Sequence, residues 1–382
     1  MQKRVGVVVV LLLVIAAGIW FTTQSKNTPA DNSKESIKIG VASLLTGDFA
    51  VVGENIVKTA KLAAADINAD GGISGRPIEL VIENAGYTSK DGVSALQKLI
   101  NADGIRYVIG GTSSNGTIAY APIANQTHTV VLTPVTGGKN VDEAGDYIFR
   151  IANADILAGQ NLAEAMIRLG YTKAATISEV TDYTTDIQNT FEKTFKEKGG
   201  VIVKSERFQP NTTDYRTLIT SVRESKPEAI LILSQLGTNA AQFIKQSREL
   251  GFTPPLFTDF TLAANGDVKR IVGSLDGIYF ADPAYDTAGA GSKAFFERYE
   301  KEYGGPSPIP FHSASTYDGM MMIASALRAV GDDSTKVQQW LLMNVKNYQG
   351  LMGTYSLDAA GNSDLGFTVR VIKGGVPTDI SY

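Results

Sequence analysis

Apolar residues recur along this chain in two alternating patterns: short apolar runs, and longer stretches with helical spacing. Ile37–Ser43 is a short apolar run that ends at a turn, which is typical of a buried strand. In Gly53–Asn68 the apolar positions recur with a helical period and form a wide stripe, which predicts a helix with one buried face. The same alternation continues to about residue 280.

The whole pattern predicts eleven strands and ten helices. The predicted strands are Ile37–Ser43, Ile78–Glu83, Tyr107–Ile109, Val130–Leu132, Tyr147–Arg150, Ala174–Ser178, Val201–Phe208, Ala229–Leu233, Leu256–Thr258, Gly277–Phe280 and a final strand Gly366–Ile372. The predicted helices are Gly53–Asn68, Asp91–Asn101, Asn115–Asn125, Asp155–Leu169, Asp186–Lys198, Tyr215–Ser225, Asn239–Leu250, Lys293–Tyr303, Ser313–Val330 and Ser334–Met343.

Strands that alternate with helices of this length predict βαβ units and parallel sheets with helices on both faces. Because the pattern restarts near residues 151–155, the fold class is predicted as α/β, with two doubly wound parallel-sheet lobes joined by a hinge. Three helices without intervening strands follow, so we expect the chain to revisit both lobes. The predicted first lobe is 37–153 with 284–352, and the predicted second lobe is 154–283 with 353–382.

The N-terminal 36 residues have a different pattern. Lys3 and Arg4 precede Val5–Phe21, which has no charge and resembles the apolar core of an export signal. That run is also nearly long enough to span a bilayer. A cleaved signal peptide and an uncleaved membrane anchor therefore stay open, and both place the rest of the chain outside the cytoplasm. Thr22–Ser36 is polar and predicts a flexible tether.

The amino-acid composition excludes several kinds of functional site. The chain has no cysteine, which excludes disulfides, thiolate metal sites, a cysteine nucleophile and anchoring by a lipidated cysteine. Its two histidines, His128 and His312, are too few for a His-rich metal centre. A net charge of −4 does not favour nucleic-acid binding, which needs clustered Lys and Arg. The sequence also lacks a P-loop, a dinucleotide-binding glycine motif after the first strand, and a G-x-S-x-G elbow.

Two strand-to-helix junctions remain as candidate binding loops. Gly111–Thr117 and Leu132–Gly138 are rich in Ser, Thr and Gly, and each follows a predicted strand. In an open parallel sheet, ligands bind beyond the carboxyl ends of the strands. Free N–H groups at a helix N-terminus favour a carboxylate there. The alternative is that Ser113 or Ser114 only caps the helix.

At these residues the chain resembles the type I periplasmic substrate-binding proteins of ABC importers, in the branched-chain amino acid (Leu/Ile/Val) group. The resemblance covers residue 37 to the C-terminus, and it implies the periplasmic binding protein-like I fold: two lobes, three crossovers and a ligand in the cleft. The segments that carry it are Ile39–Gly53, Ala65–Gly75, Ile105–Ser114, Leu132–Thr136, Phe243–Gly251 and Ser315–Leu327.

The resemblance implies roles for particular residues. The family serine that meets the ligand carboxylate matches Ser114, with Thr112 and Ser113 beside it. The Ala-x-Thr segment that meets the ammonium and carboxylate falls on Val135, Thr136 and Gly137, so the Thr hydroxyl is missing or shifted to Thr136.

The resemblance extends to the second lobe, where the match is less complete. The tyrosine that covers the ligand matches Tyr183, and the acid that pairs with the ammonium falls near Asp259. Three family aromatics are absent. Gln235 and Leu236 stand in place of one, Val52 replaces another, and His312 replaces a third at the cleft rim.

We therefore expect a non-enzymatic, extracytoplasmic solute-binding protein of an ABC transporter. Hinge closure would capture a small ligand, an amino acid of the branched-chain type, and deliver it to a membrane permease. We expect a monomer that binds no nucleic acid, cofactor or metal. The alternative is an extracytoplasmic ligand-sensing receptor subunit of the same fold, for an amide or small carboxylate.

Overall fold

The computed structural model describes residues 35–380, apart from 48, 112, 265 and 364. The apolar segment Val5–Phe21 lies outside these residues, so its role as signal or anchor stays a prediction. Within the part of the chain that is described, no helix combines the length and the apolar character needed to cross a membrane.

The first lobe is built on a five-stranded, fully parallel sheet with the strand order β2-β1-β3-β4-β5. Its strands are β1 (Ile37–Ser43), β2 (Ile78–Asn84), β3 (Tyr107–Ile109), β4 (Val130–Thr133) and β5 (Ile148–Arg150). The helices between them are α1 (Ala50–Ala69), α2 (Ser89–Asn101) and α3 (Ser114–Thr127), with a short 3-10 helix at Lys139–Glu143.

The second lobe is built on a seven-stranded sheet with the strand order β14-β13-β10-β9-β8-β6-β7. Five strands run parallel, and β13 and β14 complete one edge antiparallel. The strands are β6 (Lys173–Glu179), β7 (Val201–Phe208), β8 (Ala229–Leu233), β9 (Leu256–Asp259), β10 (Tyr279–Pro283), β13 (Phe367–Lys373) and β14 (Val376–Asp379). The helices are α4 (Asp155–Arg168), α5 (Asp182–Glu197), α6 (Arg216–Glu224), α7 (Gly237–Glu249), α8 (Thr261–Ala264) and α9 (Gly266–Val272).

After β10 the chain returns to the first lobe. The returning elements are α10 (Ala290–Tyr303), α11 (Pro310–Val330), α12 (Ser334–Asn344), β11 (Tyr348–Gly350) and β12 (Gly353–Tyr355). Tyr355 and Leu357 pack into the apolar core of the first lobe. The predicted change of lobe at residue 353 is therefore too early, because the chain reaches the second sheet only at Phe367. The other predicted lobe boundaries stay predictions.

The predicted strands and helices are all present, with shifted ends. The largest shift is at α5, which begins at Asp182 instead of Asp186 because the Thr181 hydroxyl accepts a hydrogen bond from Thr184 N at 3.2 Å and caps the helix. Gly366–Ile372 is not the final strand, since β14 forms a hairpin with it. The sequence pattern also missed α8 and α9, which are short.

Gly53 fixes the position of α1 against the end of β1. A Cβ atom at this position would lie 1.6 Å from the carbonyl oxygen of Leu44, and the Ser43 hydroxyl donates to the Gly53 carbonyl at 2.9 Å. Only glycine allows this approach of two backbone segments. It also holds the loop between β1 and α1, which forms one wall of the cleft described below.

Replacing Gly53 with alanine should lower the free energy of unfolding by about 1–3 kcal/mol, because the added methyl group must displace backbone. Alanine ordinarily favours a helix over glycine, so the sign of the effect is diagnostic. The control is Gly291→Ala in α10, where a Cβ would meet only Leu351 at 3.7 Å. Urea unfolding should show a loss for Gly53→Ala and none for Gly291→Ala; equal effects would contradict the close approach.

Candidate ligand-binding cleft

A cleft of about 810 Å³ opens between the two lobes, at the carboxyl ends of the parallel strands of both sheets. Its walls include the loops that follow β1, β3 and β4 in the first lobe and β6, β8 and β9 in the second. Eight of the ten predicted site residues line it: Ser113, Ser114, Val135, Thr136, Gly137, Tyr183, Gln235 and His312. Thr112 lies outside the described residues.

On the first lobe, the N-terminus of α3 faces the cleft. Ser113 is the capping residue: its hydroxyl accepts from Gly116 N at 3.1 Å and donates to the Tyr87 carbonyl at 3.4 Å. The Ser114 hydroxyl accepts from Gly138 N at 3.2 Å, so its own proton stays available for a ligand. The backbone N–H groups of Ser114 and Asn115 precede the first helical hydrogen bonds, and both residues line the cleft. Ser113 therefore has a structural role, whereas Ser114 can contact a ligand.

Thr136 and Gly137 lie on the loop after β4. Thr136 is buried, and its hydroxyl has no hydrogen-bond partner among the described residues. A Cβ atom at Gly137 would lie 2.3 Å from both the Asn153 carbonyl oxygen and Asp155 Oδ1, so this loop packs tightly against the crossover to the second lobe. An unpaired buried hydroxyl is costly unless a ligand pairs with it.

The second lobe brings Tyr183 and Gln235 to the cleft. Burial and the charges of Asp259 and Asp155 raise the pKa of Tyr183 well above its usual range, so its hydroxyl stays protonated. The backbone N–H of Gln235 donates to Glu179 at 2.8 Å, which holds the loop after β8 in place. Tyr183 is therefore a neutral hydrogen-bonding group beside two carboxylates.

Asp259 does not line the cleft. It is fully buried at the end of β9, and its Oδ1 accepts from both the backbone N–H and the hydroxyl of Thr261. Burial raises the pKa of Asp259 to about 6, although these hydrogen bonds oppose the shift. Its Oδ2 has no hydrogen-bond partner among the described residues. Thr261 and Tyr183 line the cleft and Asp259 does not, so the expected direct contact between Asp259 and a ligand stays a prediction.

Asp155, which the sequence analysis placed only at the start of a helix, does line the cleft. Its side chain is 7% exposed, and none of the described residues donates a hydrogen bond to its carboxylate. Burial raises the pKa of Asp155 well above its usual range, while the charge of Arg150 opposes and that of Asp259 adds to the rise. Arg150 is itself paired with Asp142 at 2.7 Å. An acid in the first turn of a helix is common, so no sequence pattern distinguished Asp155 as a residue of the cleft.

The charge of the cleft is negative. Among its described lining residues there are two carboxylates, Asp155 and Asp182, and no lysine or arginine. Glu179 and Asp182 of the second lobe also act on Tyr87 of the first, where burial and these two charges raise the pKa to about 12. The described residues contain no cluster of three or more His, Asp or Glu that could hold a metal ion. A cationic group on a ligand would compensate the buried carboxylate of Asp155, whereas Asp182 is exposed to solvent.

Aromatic rings line both sides of the cleft, although not at the positions expected from the family. Val52 lines the wall as the sequence indicated, but Phe49 supplies a ring three residues earlier and stacks on Tyr87 with ring centroids 4.9 Å apart. On the other side, Phe260 packs edge to face on His312 at 5.6 Å. The sequence signal for Phe49 was an aromatic residue in the loop between β1 and α1.

His312 is buried in the wall of the cleft, 6% exposed, and not at its rim as expected. Its Nδ1 lies 3.0 Å from the Pro134 carbonyl oxygen. Burial lowers the pKa of His312 to about 4, although that carbonyl opposes the shift. The ring is therefore neutral at physiological pH.

A family model described as periplasmic binding protein matches residues 36–371. An amino acid binding protein of Pseudomonas aeruginosa is 27% identical over 334 residues, 85% of this chain and 87% of the relative. A Leu/Ile/Val-binding protein homolog of Brucella melitensis is 25% identical over 323 residues, 80% of each chain.

Solved structures share the fold. The branched-chain amino acid transporter substrate-binding protein LivJ of Streptococcus pneumoniae, in complex with isoleucine, has a TM-score of 0.81 at 24% identity and covers 90% of this chain and 98% of its own. A solute-binding protein of R. palustris in complex with benzoate has a TM-score of 0.79 at 23% identity, covering 90% and 95%.

These matches extend over nearly all of the described residues and agree with the two parallel-sheet lobes and the cleft between them. They confirm the resemblance seen in the sequence, both to ABC-transporter solute-binding proteins and to the branched-chain amino acid group. This chain belongs to the periplasmic binding protein family, whose members are extracytoplasmic.

Proposed function

We propose that this protein captures an α-amino acid in the cleft by hinge closure and delivers it to the permease of an ABC transporter. The observation that carries the proposal is the pairing of unused hydrogen-bond donors on the first lobe with a buried carboxylate, Asp155, that accepts no hydrogen bond from the described residues, beside the second. An α-amino acid carries the two complementary charges on adjacent atoms.

The ligand carboxylate binds the first lobe. The backbone N–H groups of Ser114 and Asn115 carry the positive end of the α3 dipole, and the hydroxyls of Ser114 and Thr136 can donate to the same oxygens. Each charge-assisted hydrogen bond in a closed cleft contributes about 1.5–3 kcal/mol. This assignment keeps the roles that the sequence predicted for Ser114 and Thr136.

The ligand ammonium binds at Asp155. An ion pair there offsets the desolvation that now raises the pKa of this carboxyl, and the neighbouring Asp259 adds negative potential from behind the cleft wall. Tyr183 closes over the same point with a neutral hydroxyl. Asp259 thus does not contact the ligand directly. Asp155 instead forms the direct contact with the ammonium that the family resemblance assigned near Asp259.

This charge pattern favours an amino acid over a simple aromatic acid such as benzoate. Benzoate supplies an anion but no cation, so it would leave Asp155 buried without a partner in a cleft lined by no lysine or arginine. The apolar and aromatic walls suit an apolar side chain. Branched-chain amino acids are the first candidates, because relatives carry that name.

The proposal also covers export, oligomeric state and release of the ligand. Residues 5–21 direct the chain out of the cytoplasm, as a cleaved signal or as an anchor, and 22–36 act as a tether. The protein works as a monomer without cofactor or catalysis, and the ligand is released to the permease when the lobes reopen.

The test is a thermal-shift and calorimetric comparison of three matched compounds: leucine, its keto acid 4-methyl-2-oxopentanoate, and its amine 3-methylbutylamine. An amino acid at 100 times its Kd should stabilise the protein by about 2.7 kcal/mol. The keto acid and the amine each lack one charge and should give little shift. The same comparison is repeated across the standard amino acids, with benzoate included. Stabilisation by benzoate but by no amino acid would refute the proposal.

A further inference from the structure

His312 has one ring nitrogen whose hydrogen bonding is fixed by the fold. The Pro134 carbonyl can only accept, so Nδ1, 3.0 Å from it, carries the proton. The neutral ring then has a lone pair on Nε2 and no proton there. His312 also lies in the first turn of α11, where the positive end of the helix dipole disfavours a second proton.

Nε2 has no hydrogen-bond partner among the described residues. The rings packed against His312 are Phe260 of the second lobe and Phe311 of the first, both edge to face, at 5.6 and 5.2 Å. Neither can donate a hydrogen bond. When the cleft closes and water leaves, the lone pair needs a donor from the ligand, because an unpaired buried acceptor is unfavourable.

The ligand ammonium is not the expected donor to His312 Nε2. Among the described residues, no carboxylate forms a hydrogen bond or ion pair with the His312 ring, whose hydrogen-bond partner is the Pro134 carbonyl oxygen. The wall around the ring is aromatic, which suits a ligand side chain and not its charged head. Nε2 therefore faces the part of the ligand that distinguishes one amino acid from another.

We propose that His312 Nε2 accepts a hydrogen bond from a hydroxyl or N–H group on the ligand side chain, so that the cleft selects a donor-bearing amino acid over its hydrocarbon counterpart. This inference rests on the proposed function and changes its first candidates, from branched-chain hydrocarbon side chains to otherwise apolar side chains that carry a donor. Sites that hydrogen-bond a hydroxyl strongly reject the analogue that lacks it.

The experiment compares nearly isosteric ligand pairs by calorimetry: valine with threonine, leucine with asparagine, and phenylalanine with tyrosine. In the wild-type protein, the donor-bearing member of at least one pair should bind about tenfold more tightly. His312→Phe, which keeps an aromatic ring but removes the acceptor, should abolish or reverse that preference. His312→Gln, whose amide retains an acceptor, should preserve part of it. The control is His128→Asn, at the other, exposed histidine, which should change nothing.

Equal or better binding of the hydrocarbon member in every pair overturns this inference and leaves the proposed function intact. A preference that survives His312→Phe also overturns it. If no amino acid binds at all, the proposed function fails and this inference fails with it. If His312→Phe does not fold, the wild-type protein still tests whether the donor-bearing ligands bind more tightly. His312→Gln then tests whether that preference depends on His312.

Discussion

Replacing Asp155 with asparagine is expected to weaken amino acid binding by on the order of 100-fold while making the ligand-free protein more stable. Loss of one partner of a buried ion pair costs about 3 kcal/mol or more, which corresponds to that factor. The asparagine side chain has nearly the same shape, so the change removes the charge and leaves the packing against Gly137. Calorimetry with the amino acid that gives the largest thermal shift measures the affinity.

The gain in stability follows from the pKa of Asp155. Burial raises this pKa in the folded state, so the folded protein holds the proton more tightly than the unfolded chain. Stability therefore falls as the pH rises above the unfolded pKa of about 3.8 and through the folded value. Asparagine does not ionise, so the variant does not lose stability in this way. Its melting temperature should therefore exceed that of the wild type, by an amount that grows as the pH rises from about 3.8 through the folded pKa of Asp155.

The matched control is Asp182→Asn, which makes the same change of charge at the exposed first residue of α5. Its carboxylate is solvated, so we expect the affinity to change by no more than about twofold. If both variants lose affinity equally, the loss comes from a general decrease of negative potential in the cleft and not from an ion pair at Asp155. If Asp155→Asn binds normally, the ammonium site lies elsewhere and Asp259 becomes the remaining candidate.

Local patterns in the sequence were enough to predict the architecture, because each strand and helix carries its own periodicity. The loops that line the cleft were predictable for the same reason: Ser114 and Thr136 follow recognisable strand ends, and parallel strands align those ends at one edge of a sheet. The start of α5 was misplaced because the Thr181 cap is a single side-chain contact that periodicity does not contain.

The features that sequence reasoning missed depend on contacts between distant segments. Asp155 lines the cleft where the loop after β4 packs against the crossover, a close approach that a Cβ at Gly137 would prevent. Phe49 and Tyr87 form one stacked pair although 38 positions separate them in the sequence. Asp259 lies at the end of β9, but only the fold shows that Thr261 donates twice to its Oδ1 and that its Oδ2 has no partner among the described residues.

Replacing Ser114 with alanine and Thr136 with valine together is expected to weaken amino acid binding on the order of 100-fold. Each change removes one hydroxyl donor to the ligand carboxylate, and two bonds of about 1.5 kcal/mol add to about 3 kcal/mol. The backbone donors at the N-terminus of α3 remain, so binding is weakened and not abolished. Each single variant should account for about half of the loss in free energy, measured by calorimetry.

Thr59→Val is the matched control, because Thr59 is also buried with an unpaired hydroxyl but lies in α1 away from the cleft. Valine should fill either site without loss of stability, since the hydroxyl it replaces has no partner among the described residues. Only Thr136→Val should then lower affinity. The keto acid of the ligand should lose affinity in the double variant as well, because it keeps the carboxylate. An amino acid affinity unchanged in the double variant would show that the carboxylate binds outside these two loops.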